Sequence, residues 1–301
     1  MTLCIAAACL DGDDKKIVLC TDWKEEAEGI GSSETADKLK FVKAGWVALV
    51  SGEASPTEAL IFLYRNRLKD ADLTEGNVYD SLKNPIHERK ALLADDYTRQ
   101  VLGITYGDFI NNGKGTFPED FFRQHLYEIE RIRLGTSLII CGFIEKYDYV
   151  NEIAEKHPLL ITIDDDTSQR QDIFSLELDF AAIGSGASSA LAALFNREQS
   201  SDTSLLHTIY FLYEANRLSE KVPGVGEQVS IEVLDADGNI QSLSEEGYDK
   251  CDELFRRFGP RLITDKHSAK FKMEQEYLES FYSEWNKRAT KRKEISLKSS
   301  D

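Results

Sequence analysis

Thr2 follows Met1 and opens the apolar run Leu3-Cys4-Ile5-Ala6-Ala7-Ala8-Cys9-Leu10. Removal of one methionine leaves a threonine that carries both a hydroxyl and a free α-amine. An α-amine has an ordinary pKa of about 7.7–8.0, so near neutral pH it can accept a proton. A hydroxyl beside its own base is a compact nucleophile, the N-terminal threonine form of the nucleophile–base pair. Asp22 closes one predicted strand and Lys38 opens the next. A hairpin meander would turn both toward the start of the first strand, beside Thr2. A carboxylate facing a lysine favours the ammonium form, and a fixed positive charge near a hydroxyl favours alkoxide character. Ser51-Gly52 ends a further strand. A glycine there lets backbone approach a ligand, and its N–H can stabilise an oxyanion. Each feature also has a plain alternative: Thr2 as the start of a strand, Asp22 and Lys38 as surface residues around a loop, and Gly52 as an ordinary turn.

Other groups point to less. His87, His125, His157, His207 and His267 are scattered without metal-ligand spacing. Gly184-Ser185-Gly186 before a predicted helix lacks the lysine and the longer glycine pattern of a phosphate loop. Asp164-Asp165-Asp166 and Asp235-Ala236-Asp237-Gly238 lack the spacing of an EF-hand and read as turns. There is no G-x-S-x-G elbow. The expectation is therefore chemistry without a cofactor or a metal.

The elements that must position Thr2 are legible from patterning. Residues 2–10 read as a buried strand, Asp11–Asp14 as a turn, and Lys16–Thr21 as its hairpin partner. Residues 23–37 are polar and read as a loop. Leu39–Val42 and Trp46–Val50 are two short strands. Ser55-Pro56-Thr57-Glu58 starts a helix, with proline at the first helical position. A second helical pattern covers about 86–105, the stretch 106–118 is Gly- and Asn-rich, and 118–134 reads as another helix. Strand signals return at Ser137–Phe143, Leu159–Ile163, Asp172–Leu178 and Phe180–Ile183. Helices over about 187–197 and 202–219 follow, then a strand over Glu227–Leu234. Hairpin-linked strands in two groups, with helices between them, predict two antiparallel sheets flanked by helices. From about 245 the chain is charged and helical and ends in the basic tail Lys287–Asp301, which reads as a solvated helix with a frayed end.

Composition narrows the partners. Lys plus Arg number 36 against 53 Asp plus Glu, a net charge of −17. That balance argues against nucleic acid and against an anionic membrane surface as partners. Hydrophobic residues make up 42%, enough for a sizeable core. The five cysteines form no C-x-x-C pair, and four lie in strand-like apolar runs, where buried thiols are ordinary. The reading is a reducing, cytoplasmic setting. There is no basic region ahead of the first apolar run and no long uncharged apolar stretch, so neither a signal peptide nor a membrane span is expected.

In order along the chain stand Met1-Thr2 and its strand, Cys20-Thr21-Asp22, Ala36-Asp37-Lys38-Leu39-Lys40-Phe41, Val50-Ser51-Gly52-Glu53-Ala54, Cys141-Gly142-Phe143, Asp164-Asp165-Asp166 and Ile183-Gly184-Ser185-Gly186. In content, order and spacing, over about residues 2–70 and 136–240, this series resembles the proteasome β-subunit type of N-terminal nucleophile (Ntn) hydrolase, in its bacterial-like form. The resemblance implies an α+β fold, a four-layer αββα sandwich of two antiparallel sheets flanked by helices. It implies Thr2 as nucleophile and its α-amine as proton acceptor, with Lys38 assisting the nucleophile and Asp22 pairing Lys38. It further implies the Gly52 N–H as oxyanion hole and Ser185 as a residue that orders the amine. The activity implied is peptide-bond hydrolysis through an ester-linked acyl-enzyme, on peptide or unfolded protein, in a homo-oligomeric ring. Cleavage preference, ring size and any ATPase partner stay open.

The chain also departs from that family's pattern. Typical members carry an Asp and a Ser just before the penultimate strands, where this chain has Glu220-Lys221-Val222-Pro223-Gly224-Val225-Gly226, with Ser219 and Glu220 nearby. Val222 and Val225 thus stand where partners of the amine are expected. Residues 2–245 form the expected hydrolase domain, with an atypical helical insertion at about 75–135 and a C-terminal extension over 246–301. Two further readings of the same fold stay open: an amidohydrolase acting on a small amide, and a catalytically silent structural or assembly subunit.

Overall fold

The computed structural model describes residues 2–27, 31–34, 37–74, 76–148, 153–163, 174–177, 179–259, 273–274 and 276–279. Met1, the Asp164–Asp166 turn, His267 and the Lys287–Asp301 tail lie outside them.

The chain folds as a mixed α+β protein with two five-stranded antiparallel sheets. The first sheet contains β1 (Leu3–Asp11), β2 (Asp14–Asp22), β10 (Phe180–Gly184), β11 (Val229–Asp235) and β12 (Ile240–Ser242), in the order β10-β1-β2-β11-β12. The second runs in chain order: β5 (Leu39–Lys43), β6 (Trp46–Gly52), β7 (Thr136–Asp148), β8 (Ile153–Ile163) and β9 (Phe174–Glu177). A small hairpin, β3 (Lys24–Ala27) with β4 (Gly31–Glu34), occupies part of the polar 23–37 stretch that reads as loop from sequence.

The unbroken apolar run of β1 has a simple cause: both of its faces are buried. Leu3, Ile5, Ala7 and Cys9 share a core with helices α5 (Ala187–Asn196) and α6 (Leu205–Ser219). Cys4 and Ala6 point the other way and share a core with Val47, Leu49, Ile139 and Cys141 of the second sheet. The outer face of that second sheet presents Trp46, Ala48, Val50, Leu138 and Ile140 to helix α1 (Ala54–Leu68) and the first half of helix α2 (Val78–Leu102). Gly142 makes room for a ring in this layer: a Cβ added there would meet the Trp46 indole at 2.2 Å. All five cysteines are buried and free. Among the described residues, no helix is long and apolar enough to cross a membrane.

The insertion is helical throughout. Helix α2 is followed by α3 (Tyr106–Thr116) and α4 (Glu119–Glu130). The second half of α2 leaves the sheets and packs with α3 and α4 around a small core of Ala94, Phe109 and Ile129. The Gly- and Asn-rich stretch is thus a helix, capped by the Thr105 side chain, which accepts from the Asp108 N–H at 3.0 Å. Its Gly113 is a seat for an aromatic ring, because a Cβ there would fall 2.9 Å from Phe122.

The start of the charged C-terminal stretch corrects its reading as a solvated helix. Helix α7 (Glu245–Phe258) buries Cys251, Leu254 and Phe258 in the same core as β1 and α6, and Leu278 joins them. Glu274 is fully buried beside Arg197, which also grips Glu214 of α6 at 2.5 and 2.6 Å. Burial opposes the guanidinium charge, but Glu214 and Glu274 outweigh it and hold the group charged. Arg197→Met leaves two carboxylates buried without their cation. We expect it to cost about 3–5 kcal/mol, read as a lower urea midpoint, with the 273–279 segment more open to limited proteolysis.

Candidate active site

Four strand ends converge at one edge of the paired sheets. The register Cys4↔Thr21 places Asp22, the last residue of β2, opposite the start of β1. Val229 of β11 pairs with Asp22 on its other side, and Leu3 pairs with Gly184 of β10. Lys38 comes from the second sheet, just ahead of β5. A nucleophile candidate on one sheet therefore meets a cation from the other.

The three side chains are in direct contact. The Thr2 hydroxyl donates to Asp22 Oδ1 at 2.5 Å. Lys38 Nζ donates to the same carboxylate oxygen at 2.5 Å and also to Thr2 Oγ1. All three residues are buried: Thr2 is 3% exposed, Asp22 0% and Lys38 7%. Backbone completes the carboxylate. The Leu3 N–H donates to Oδ1 at 2.9 Å, and the Gly226 N–H donates to Oδ2 at 2.7 Å. Asp22 is thus held by donors from β1, from the turn before β11 and from the opposite sheet. Any one of these would restrict its rotamer; together they leave it a single position.

Gly184 sets how closely β10 approaches Thr2. Its φ of +95° is one that L side chains rarely adopt, and an added Cβ would lie 2.1 Å from the Thr2 carbonyl oxygen. Gly184→Ala must push Thr2 from its place. A displacement of about 1 Å in a catalytic group costs on the order of 100-fold in rate, so for the hydrolase proposed below we expect such a loss in kcat with a folded protein, checked by turnover beside far-UV circular dichroism.

Ser185 is exposed and donates to the Thr2 carbonyl across a long 3.4 Å. It therefore meets the backbone carbonyl of Thr2, the residue whose amine the family resemblance assigns to it. Ser219 is occupied elsewhere, donating to the Ala215 carbonyl at 2.8 Å, with the Gly186 carbonyl 3.4 Å away. Val225 is buried against Gly186, and Val222 packs on the core of the first sheet. The turn that lacks the expected Asp and Ser still serves the site, through the main-chain N–H of Gly226. Patterning gives no sign of that contact, because a backbone donor has no side-chain signature; the Pro-Gly-Val-Gly sequence ahead of a strand was the one available hint.

Gly52 is exposed at the end of β6, two residues beyond Val50, whose N–H donates to the Lys38 carbonyl at 3.0 Å. Its φ is +121°, and an added Cβ would fall 2.6 Å from the Gly135 carbonyl oxygen. Cys4 ties this strand end to the first sheet, its thiol donating to the Val50 carbonyl at 3.3 Å. Burial pushes that thiol up to about 12; nearby Lys38 works against the shift and Asp22 adds to it. Cys4 therefore stays a thiol at neutral pH and is no rival to the Thr2 hydroxyl.

The arrangement can activate a hydroxyl. It presents Thr2 Oγ1 to a cation, fixes that cation with a buried carboxylate, and leaves an exposed glycine at the rim. Compared with models of known protein families the chain matches none, and it matches no curated protein.

Proposed function

We propose that the chain is an N-terminal-threonine hydrolase that cleaves peptide bonds through an acyl-enzyme, on an αββα sandwich of the Ntn hydrolase type. One observation carries the reading: a lysine and an aspartate, both buried, converge on the hydroxyl of Thr2. A buried ion pair adds little net stability compared with apolar packing, and this one, unlike the Arg197 cluster, closes on a hydroxyl.

The proposed reaction needs the α-amine of Thr2 free. The amine takes the hydroxyl proton, directly or through water, and Oγ1 attacks the scissile carbonyl. The ammonium of Lys38 stabilises the developing alkoxide. The Gly52 N–H receives the oxyanion of the tetrahedral intermediate. Collapse breaks the C–N bond, and the leaving amine takes its proton from the Thr2 ammonium. Water, deprotonated by the same amine, then cleaves the ester and restores the hydroxyl. Peptide substrates and assembly into a homo-oligomeric ring belong to the same proposal.

Intact mass spectrometry tests it in two steps. The mature protein should lack Met1. A peptidyl epoxyketone, whose ketone takes the hydroxyl and whose epoxide takes the amine, should then add once, at Thr2. Retained Met1 rules the mechanism out. One observation favours a silent assembly subunit instead: where the resemblance expects polar support for the amine, the buried Val225 packs against Gly186. That reading gains if Met1 is absent and Thr2 still takes no adduct.

A further inference from the structure

We infer that Thr136, supported by Thr57, is a positioning residue that aims the Gly52 N–H; the inference rests on the proposed oxyanion role of Gly52. Both threonines are buried, at 5% and 4% exposure, although they flank an exposed turn. Thr136 opens β7 and Thr57 lies in the first turn of α1. Their hydroxyl oxygens are 2.7 Å apart. Thr136 Oγ1 donates to the Ser51 carbonyl at 3.0 Å, and Thr57 Oγ1 reaches the Glu53 carbonyl at 2.6 Å. Two hydroxyl protons serve three short contacts. The Glu53 carbonyl can only accept, so Thr57 donates there; Thr136 donates to the Ser51 carbonyl, with Thr57 Oγ1 beside it as a second acceptor.

The consequence follows from peptide geometry. The peptide between Ser51 and Gly52 is planar and trans, so its C=O and N–H point in opposite directions. With the Ser51 carbonyl held toward β7, the Gly52 N–H must face away from β7. Strand alternation gives the same direction independently. The Val50 N–H donates to the Lys38 carbonyl at 3.0 Å, and the Glu53 N–H donates to the Gly135 carbonyl on the β7 side, also at 3.0 Å. In an antiparallel strand alternate N–H groups face the same edge, so Gly52 follows Val50 toward Lys38. Pairing of β5 with β6 begins at Leu39↔Leu49, so Gly52 lies beyond the end of the paired region of β5. The Gly52 N–H is therefore aimed at the side where Lys38 contacts Thr2. Without the Thr136 hydroxyl, the Ser51 carbonyl keeps the β6–β7 ladder but loses its side-chain donor, and the Ser51–Gly52 peptide is held less firmly at the strand end.

The test compares Thr136→Val, which keeps shape and loses the hydroxyl, with Thr136→Ser, which keeps the hydroxyl. The substrate is a fluorogenic peptide amide that the wild type turns over. We expect Thr136→Val to lower kcat by about 10- to 100-fold with KM within about twofold, and Thr136→Ser to retain wild-type kcat. Epoxyketone labelling of Thr2 should slow in the valine variant alone. Should the valine protein not fold, Thr136→Ala adds no bulk and is read in the same way. Wild-type kcat in a folded variant lacking the hydroxyl, or an equal loss in the serine variant, overturns the inference while the proposed function stands. A wild type that neither turns over peptide nor takes the label overturns both.

Discussion

Thr2→Ala, prepared without Met1, is expected to fold and to hydrolyse no peptide. The substitution removes the only atom assigned to attack the carbonyl. Loss of a nucleophile costs at least about 10⁴-fold in turnover, because what is left is binding and oxyanion stabilisation. Stability should change far less. Asp22 keeps the Lys38 ammonium and the N–H groups of Leu3 and Gly226, so two hydrogen bonds are lost, the hydroxyl's to Asp22 and that from Lys38, worth about 1–2 kcal/mol each. Peptide turnover and urea unfolding on the same preparation separate the two effects. A variant retaining a tenth of wild-type turnover would remove Thr2 from the chemistry.

The second large effect is on the fold. Asp22→Ala leaves the Lys38 ammonium buried without its carboxylate, at a cost of about 3–5 kcal/mol. It also strands the Leu3 and Gly226 N–H groups, at about 1–3 kcal/mol each if nothing replaces the acceptor. Whole domains are stable by about 5–15 kcal/mol, so this variant should be largely unfolded or insoluble. The informative partner is the double variant Asp22→Ala with Lys38→Met, which removes the Lys38 charge as well. We expect it to recover much of the urea midpoint and none of the activity. A double variant no more stable than the single would mean that Lys38 is hydrated in the absence of Asp22, and that the ion pair is not what holds this edge together.

The separation between what patterning revealed and what it missed has physical causes. Thr2, Asp22 and Lys38 could be brought together on paper because each sits at the end of a strand with a clear hydrophobic pattern, and a hairpin leaves few ways to place such ends. The αα-insertion was harder. Gly107, Asn111, Asn112, Gly113 and Gly115 have poor helix propensity, yet 106–116 is helical because Gly113 seats Phe122 and Phe109 is fully buried. Packing there overrides local preference. The buried face of α7 was legible in principle, since Cys251, Leu254 and Phe258 recur at helical spacing, but the charges around them dominate the composition. Gly226 and the Thr57–Thr136 pair were out of reach. The first acts through its backbone, and the second joins residues far apart in the chain through one carbonyl.

The position of β1 has a further consequence, for trimming of the chain. Its neighbours are β10 and β2, and Leu3 through Ala8 have no exposed surface. An exopeptidase needs a stretch of free backbone in its own cleft. To go beyond Thr2 it would have to draw a central strand out of a sheet that is covered on both faces. The cost of that extraction is comparable to unfolding the layer. The fold therefore acts as a ruler for its own beginning: trimming past Thr2 would break the sheet, which protects the residue whose amine the proposed chemistry requires.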